Sequence, residues 1–300
     1  MSQELQFAFS VTGPILFLLL LGYALKKTKV IDEIFVKQAN GLIFNIALPV
    51  LLFFAISSKD ITESFDLPFV ASGVVGTLLL VLLLMLFSKR VPTQQRGVFI
   101  QGAYRGNKAI VAVALSVAAY GEAILPTVGV YIAVVTTIYN VFAVWVLNSK
   151  GALKRIVTNP IIIGIVLGSL VSLTNIQLPV VAISTGAYIS AMTLPIALIC
   201  VGANLKLSSL KTNSVLVSTA TLVKLIGSPA LIVAIGWMFG VRGDLLVILF
   251  FMSAAPTASA SYVMAQKMTN SGELAAEIIA MTTAFSVISI TIGMAVLRTL

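Results

Sequence analysis

Ten apolar stretches, each long enough to cross a bilayer, follow one another through this chain with only short polar connections between them. That succession leaves the backbone few choices. A hydrocarbon core about 30 Å thick takes roughly 20 residues of helix. Within it every N–H and C=O must be bonded inside the protein, which a helix achieves by itself and an open strand does not. The spans fall at about 7–25, 34–57, 68–88, 95–119, 123–148, 156–174, 178–203, 213–239, 244–267 and 273–298. An all-α membrane protein with ten transmembrane helices is the expectation. Only 10% of the residues are charged and the mean hydropathy is +1.09, where a soluble domain carries about 25% charged residues. No room is left for a soluble domain of any size.

The net charge of +9 reads as loops facing an anionic membrane surface rather than as a nucleic-acid footprint. Alternate connections carry Lys26, Lys27, Lys29 and Lys37; Lys89, Arg90 and Arg96; Lys150, Lys154 and Arg155; Lys206 and Lys211; and Lys267, thirteen in all. The opposite connections and the tail carry three, Lys59, Arg242 and Arg298. This asymmetry predicts a multi-pass protein of the cytoplasmic (inner) membrane with both termini outside the cytoplasm. The first span is followed by Lys26-Lys27 and not by a small-residue cleavage site, so it reads as a retained helix. The single cysteine, Cys200, lies in an apolar segment and excludes an intramolecular disulfide.

The chain also repeats itself. Pro14-Ile15 and Leu21-Gly22 recur as Pro160-Ile161 and Leu167-Gly168, and Leu48-Pro49 recurs as Leu194-Pro195, all at an offset of 146 residues. With ten prolines in 300 residues, two such coincidences point to a duplicated unit. Five helices per half is an odd number, so the second half enters the membrane from the opposite side. The expectation is two inverted five-helix repeats, residues 1–150 and 151–300, with the boundary in the basic loop at Ser149–Asn159. Inverted repeats give two related states, one open to each face, and place the substrate site where the halves meet.

Two spans are poor continuous helices. Span four holds Gln101-Gly-Ala-Tyr104-Arg105-Gly106-Asn107-Lys108, where glycines cost about 1 kcal/mol each against alanine. Span nine holds Ser253-Ala-Ala-Pro256-Thr257-Ala-Ser259-Ala-Ser261, where Pro256 removes a backbone donor. Aligning Gly121-Glu122 with Gly272-Glu273 puts Arg105 opposite Pro256, so the interruptions occupy equivalent places in the two halves. Paired interruptions are the best sequence pointer to a transport site. The expected substrate-binding residues are therefore Gln101, Tyr104, Arg105, Asn107, Lys108, Ser253, Pro256, Thr257 and Ser259. The expected break and hinge positions are Gly106, Pro49 and Pro195. Ser259 and Ser261 either line the site or serve close helix packing.

Arg105, Lys108 and Lys224 remain after the loop charges are counted. A cation at mid-span costs at least about 2.5–3.5 kcal/mol, and no interior carboxylate stands out as a partner for Arg105 or Lys108; only Glu277 enters a span. A bound anion, a water-filled cavity or helix-end carbonyls could offset the cost. Lys224 is either interior to its span, or snorkels towards an interface or sits nearer a helix end.

Taken together, the Leu-Pro-Val-Leu-Leu of span two, the Gln-Gly-Ala-Tyr-Arg-Gly-Asn of span four and the Ser-Ala-Ala-Pro of span nine resemble the auxin efflux carrier family, whose bacterial members include malate-permease-like proteins of the bile-acid/arsenite/auxin transporter superfamily. The resemblance covers essentially the whole chain. It implies broken helices four and nine crossing at the centre of two inverted repeats. It also implies a permease for small organic anions such as dicarboxylates or auxin-like carboxylates. The family's span-four asparagine maps onto Asn107 and its span-nine proline onto Pro256. The Asn-Pro-x-x-Tyr pattern of plant members is absent, because Asn107 is followed by Lys108.

A non-enzymatic secondary transporter is thus expected, with no cofactor and no metal. The absence of histidine excludes Ser-His dyads and His-Glu-x-x-His zinc sites. A sodium-coupled symporter of the bile-acid type is the alternative. Expected partners are a small organic anion and membrane lipid, but not nucleic acid. A coupling proton or sodium ion and a homodimer stay open.

Overall fold

A computed structural model describes residues 3–58, 65–147, 158–205, 215–269 and 271–299. The expected repeat boundary at 149–159 lies mostly outside them, as do Lys59, Lys150, Lys154, Arg155, Lys206 and Lys211 of the charge argument. Among the described residues the fold is all helix. Seven helices are long and apolar enough to cross a membrane. In chain order these are α1 (Gln3–Lys27), α2 (Glu33–Ser57), α3 (Leu67–Phe87), α6 (Leu125–Val146), α8 (Val180–Ala203), α9 (Val215–Met238) and α12 (Gly272–Leu297). The shorter helices are α4 (Thr93–Tyr104), α5 (Lys108–Tyr120), α7 (Pro160–Thr174), α10 (Gly243–Ala254) and α11 (Ala260–Met268). Spans four and nine are thus each divided, into α4 and α5 and into α10 and α11.

Most of the acidic residues outside the spans begin helices rather than carry chemistry. Asp32 Oδ1 accepts from Phe35 N and Asp66 Oδ1 from Phe69 N, both at 2.7 Å. Asn159 does the same for Ile161 N at 3.0 Å, with Pro160 as first helical residue. Each satisfies one of the orphan donors of a helix start. At the far ends of the chain, the Arg298 guanidinium stacks over the Phe7 ring at 3.8 Å, so the start of α1 and the end of α12 lie at one end of the bundle.

Of the three expected break positions, only Gly106 lies in a gap between helices. Helix α8 runs through Pro195, and α2 runs through Pro49 by means of a π turn at Ile43–Ala47. A proline ring strikes the carbonyl four residues earlier, which for Pro49 is that of Asn45. Widening that turn accommodates the clash without ending the helix. Helix α9 uses the same device, a π turn at Val223–Gly227 ahead of Pro229.

Packing divides into two groups. Helices α1 and α8, and α2 and α7, form the closest pairs, while α3, α6, α9 and α12 gather around the two divided spans. In the first group the contacts repeat at the offset of 146. A Cβ on Gly22 would overlap the backbone of Ile199, and one on Gly168 would overlap the backbone of Phe53. Gly168 and Ile199 are Gly22 and Phe53 moved on by 146. Only a residue without a side chain permits backbones to approach this closely, and such approach is what holds helices together in lipid.

Candidate functional site: the crossing of two divided spans

The gap between α4 and α5 and the gap between α10 and α11 meet inside the bundle. Gly106 and Thr257 form an isolated antiparallel β-bridge. Asn107 N donates to Pro256 O at 2.7 Å, and Ala258 N donates to Arg105 O at 3.0 Å. An offset of 151, the one that aligns Gly121 with Gly272, converts each of these bonds into the other. The two interruptions therefore satisfy one another's backbone, which unwound chain at membrane depth requires.

Each helix that stops at the crossing leaves carbonyls without helical partners. At the end of α4, the Thr257 hydroxyl donates to Gly102 O at 2.7 Å. At the end of α10, two ammonium groups do this work. Lys108 Nζ donates to Met252 O at 2.7 Å and Lys224 Nζ to Ser253 O at 2.5 Å. Ser253 is Gly102 moved on by 151, so equivalent carbonyls are met by a neutral hydroxyl in one half and by a cation in the other. Helix-end carbonyls are thus the groups that offset the buried lysines.

The two lysines differ in how well they are compensated. Lys108 is 3% exposed and also lies over the Tyr139 and Tyr131 rings, 4.8 and 5.3 Å from their centroids. A charge-assisted hydrogen bond contributes about 1.5–3 kcal/mol and a desolvated cation–π contact about 2, enough to match the insertion cost of about 2.5–3.5 kcal/mol. Lys224 is fully buried, and its bond to Ser253 O is its one hydrogen bond among the described residues. It does not snorkel to an interface and lies well inside its own helix. It points from the π turn of α9 into the crossing. A Cβ on Gly106 would come within 3.0 Å of Ala255 O and 3.2 Å of the Lys224 Nζ, a tight fit that glycine avoids.

The other expected site residues are placed as follows. Tyr104 is fully buried, donates its hydroxyl to Tyr139 O at 3.2 Å and meets the Tyr139 ring edge-on. The Ser253 hydroxyl bonds back to Leu249 O and Phe250 O in its own helix, so Ser253 serves the crossing through its carbonyl. Pro256 and Thr257 lie in the gap, and Thr257 N donates to Thr282 Oγ1 at 3.1 Å. Asn107, Arg105 and Ser259 are partly exposed. Arg105 Nη1 donates to Met264 Sδ at 2.6 Å, and Gln101 Nε2 approaches the same sulfur at 3.6 Å. Gln101 Oε1 is buried without a hydrogen-bond partner.

Sequence reasoning missed Lys224, Tyr131, Tyr139, Met264 and Thr282. Only Lys224 carried a signal, as the third basic residue left over from the loops. The rest are ordinary residues of apolar spans whose role depends on what faces them. Among the described residues no cluster of His, Cys, Asp or Glu could hold a metal ion.

The profile of the membrane transport protein family matches residues 8–151 and again residues 146–294. No curated protein matches the sequence. Two successive matches cover nearly the whole chain and agree with the duplication seen in its prolines and glycine contacts. The chain therefore belongs to the auxin efflux carrier family and is a membrane transport protein.

Proposed function

We propose that the protein is a secondary transporter that moves a small organic anion, such as a dicarboxylate or auxin-like carboxylate, by alternating access between two inverted five-helix repeats, residues 1–150 and 151–300. The observation that carries this reading is the buried ammonium pair, Lys108 and Lys224. Both are held at the crossing by carbonyls, with no carboxylate partner among the described residues. A helix C-terminus supplies about half a negative charge. Two lysines on one such end, when protonated, outweigh its partial negative charge. In low dielectric such a field favours an anion and opposes a free cation.

Transport of labelled organic acids into proteoliposomes tests the reading. Arg105→Gln and Lys108→Gln should each lower anion transport by roughly tenfold or more, the loss of one charge-assisted hydrogen bond of about 1.5–3 kcal/mol, with membrane insertion unchanged. Normal transport by both variants would remove the anion assignment. Import or export follows from the same assay run with imposed gradients, and so does proton or sodium coupling.

The orientation we propose places both termini outside the cytoplasm of an inner membrane. The charge asymmetry of the connections supports it, and the position of Phe7 beside Arg298 puts the two ends of the chain on one side. A cysteine at position 2 in a Cys200→Ala background should react with an impermeant maleimide in intact spheroplasts. Reaction only after permeabilisation would reverse the topology.

A further inference from the structure

Equivalent stretches of α2 and α8 meet different surroundings. Moved on by 146, Phe54, Ala55 and Ser57 become Cys200, Val201 and Ala203. The first three are half-buried, while the second three are buried, Cys200 completely. The chain between α5 and α6 differs from its counterpart in the same sense. Ala123 is exposed, whereas Leu274, its equivalent at the offset of 151, is buried. A cavity of about 680 Å³ accounts for the difference, lined among others by Phe54, Ala55, Ser57, Glu122, Ala123 and Ala187. It lies between α2 and α8 of the first packing group and the chain entering α6 of the second. It opens at the end of the bundle where α1 begins and α2 finishes, the end that holds Phe7 and Arg298. Val201, by contrast, faces Val111 and Leu115 of α5 across a space of about 10 Å³, scarcely room for one water.

We infer that these are two exchangeable seams between the packing groups, one open and one shut, and that in the other form of the carrier the cavity beside Phe54 closes while residues 200–203 are uncovered. The inference rests on the alternating-access reading given above. It adds which face is open here and which residues mark the opposite form. The duplication supplies the physical reason. A closed contact that exists around Cys200, Val201 and Ala203 has a counterpart available around Phe54, Ala55 and Ser57, so shutting one seam and opening the other replaces like with like. Apolar area lost at Val201 is regained at the Phe54 ring. The backbone contacts at Gly22 with Ile199 and at Gly168 with Phe53 hold α1 to α8 and α7 to α2. Each pair can therefore move as a unit, with the change confined to the seams.

Cys200 is the one cysteine of the chain, so the wild-type protein carries its own reporter. Reaction rates with an impermeant maleimide are compared in spheroplasts and in inside-out vesicles, for wild type and for Ser57→Cys in a Cys200→Ala background. Position 57 should react rapidly from the face that bears the termini. Cys200 should react only from the opposite face and roughly tenfold or more slowly, since it is reached only through the less populated form. Ala187→Trp places a large side chain in the open cavity. Overpacking the closed seam should slow the Cys200 reaction by roughly tenfold or more, and Ser190→Trp, on the same wall, should do the same. The two rates without tryptophan keep the inference falsifiable if neither bulky variant folds. Cys200 that never reacts, that reacts from the face of the termini, or that reacts equally fast with and without tryptophan overturns the exchange of seams. Uptake of labelled succinate and indole-3-acetate by wild-type proteoliposomes is measured alongside. Uptake without the expected Cys200 behaviour removes the seams and leaves the anion reading standing. The expected Cys200 behaviour without uptake of either acid supports the seams and removes the anion reading.

Discussion

Replacing Thr257 by valine removes one oxygen and nothing else of consequence, because the two side chains share a shape. The oxygen lost is the donor that meets Gly102 O at 2.7 Å at the end of α4. That carbonyl has no following helical turn to turn to, since the chain beyond Tyr104 is committed to the bridge with 256–258. Leaving a buried acceptor unsatisfied costs about 1–3 kcal/mol. Interhelical side-chain bonds in membrane proteins average only about 0.6 kcal/mol, because segments loosened within the bilayer find other partners. Gly102 and Thr257 are both buried, and no water is needed to explain the geometry, so the upper part of the overlap applies and about 1.5 kcal/mol is expected. At about 2–4 °C per kcal/mol for chains approaching this size, Thr257→Val should melt about 3–6 °C below wild type in detergent, followed by size-exclusion chromatography after heating. Thr257→Ser keeps the hydroxyl and should melt close to wild type. Equal melting of the valine and serine variants would show that the carbonyl finds another donor. The argument that each break caps the other would then fail.

Lys224→Met exchanges the least compensated buried cation for an apolar side chain of similar length. Such exchanges are often neutral or stabilising, so the variant should melt no lower than wild type while anion transport falls by roughly tenfold or more; a marked loss of stability with normal transport would make Lys224 structural. Gly22→Leu and Gly168→Leu force apart α1 from α8 and α7 from α2 at contacts that correspond across the duplication. Their melting shifts should be large and alike, and a large effect at one with none at the other would break the equivalence of the two halves.

What the sequence made legible were the features that act locally. Glycine and proline weaken a helix locally, so the gaps at Gly106 and Pro256 could be read from residue type together with the offset of 151 that pairs them. The prolines at 49 and 195 were harder. Their clash can be absorbed by a π turn, as at Ile43–Ala47, or by a gently bent helix, as in α8, and residue type does not distinguish these from a break. The burial of Lys224 is met by a helix-end carbonyl 29 residues away, a partner with no sequence signature. Met264 was indistinguishable from any apolar residue of a span. Its meaning comes only from the two donors that face it. Long-range partners of this kind are set by tertiary packing, which periodicity and composition do not encode.

The uneven treatment of two equivalent carbonyls, a hydroxyl on Gly102 and an ammonium on Ser253, also bears on how the protein spends its time. In a transporter made of two identical halves, exchanging their roles turns one conformation into the other, and the two must be equally populated. A charge present in only one half removes that degeneracy. If the alternating-access reading holds, the inward- and outward-facing forms differ in energy by whatever Lys224 gains or loses when its surroundings are exchanged. A difference of only about 1.4 kcal/mol would set the ratio at ten to one. The resting orientation of the empty carrier would then be biased by single side chains, and Lys224→Met should shift the ratio of the two forms in a distance measurement between labelled α2 and α9.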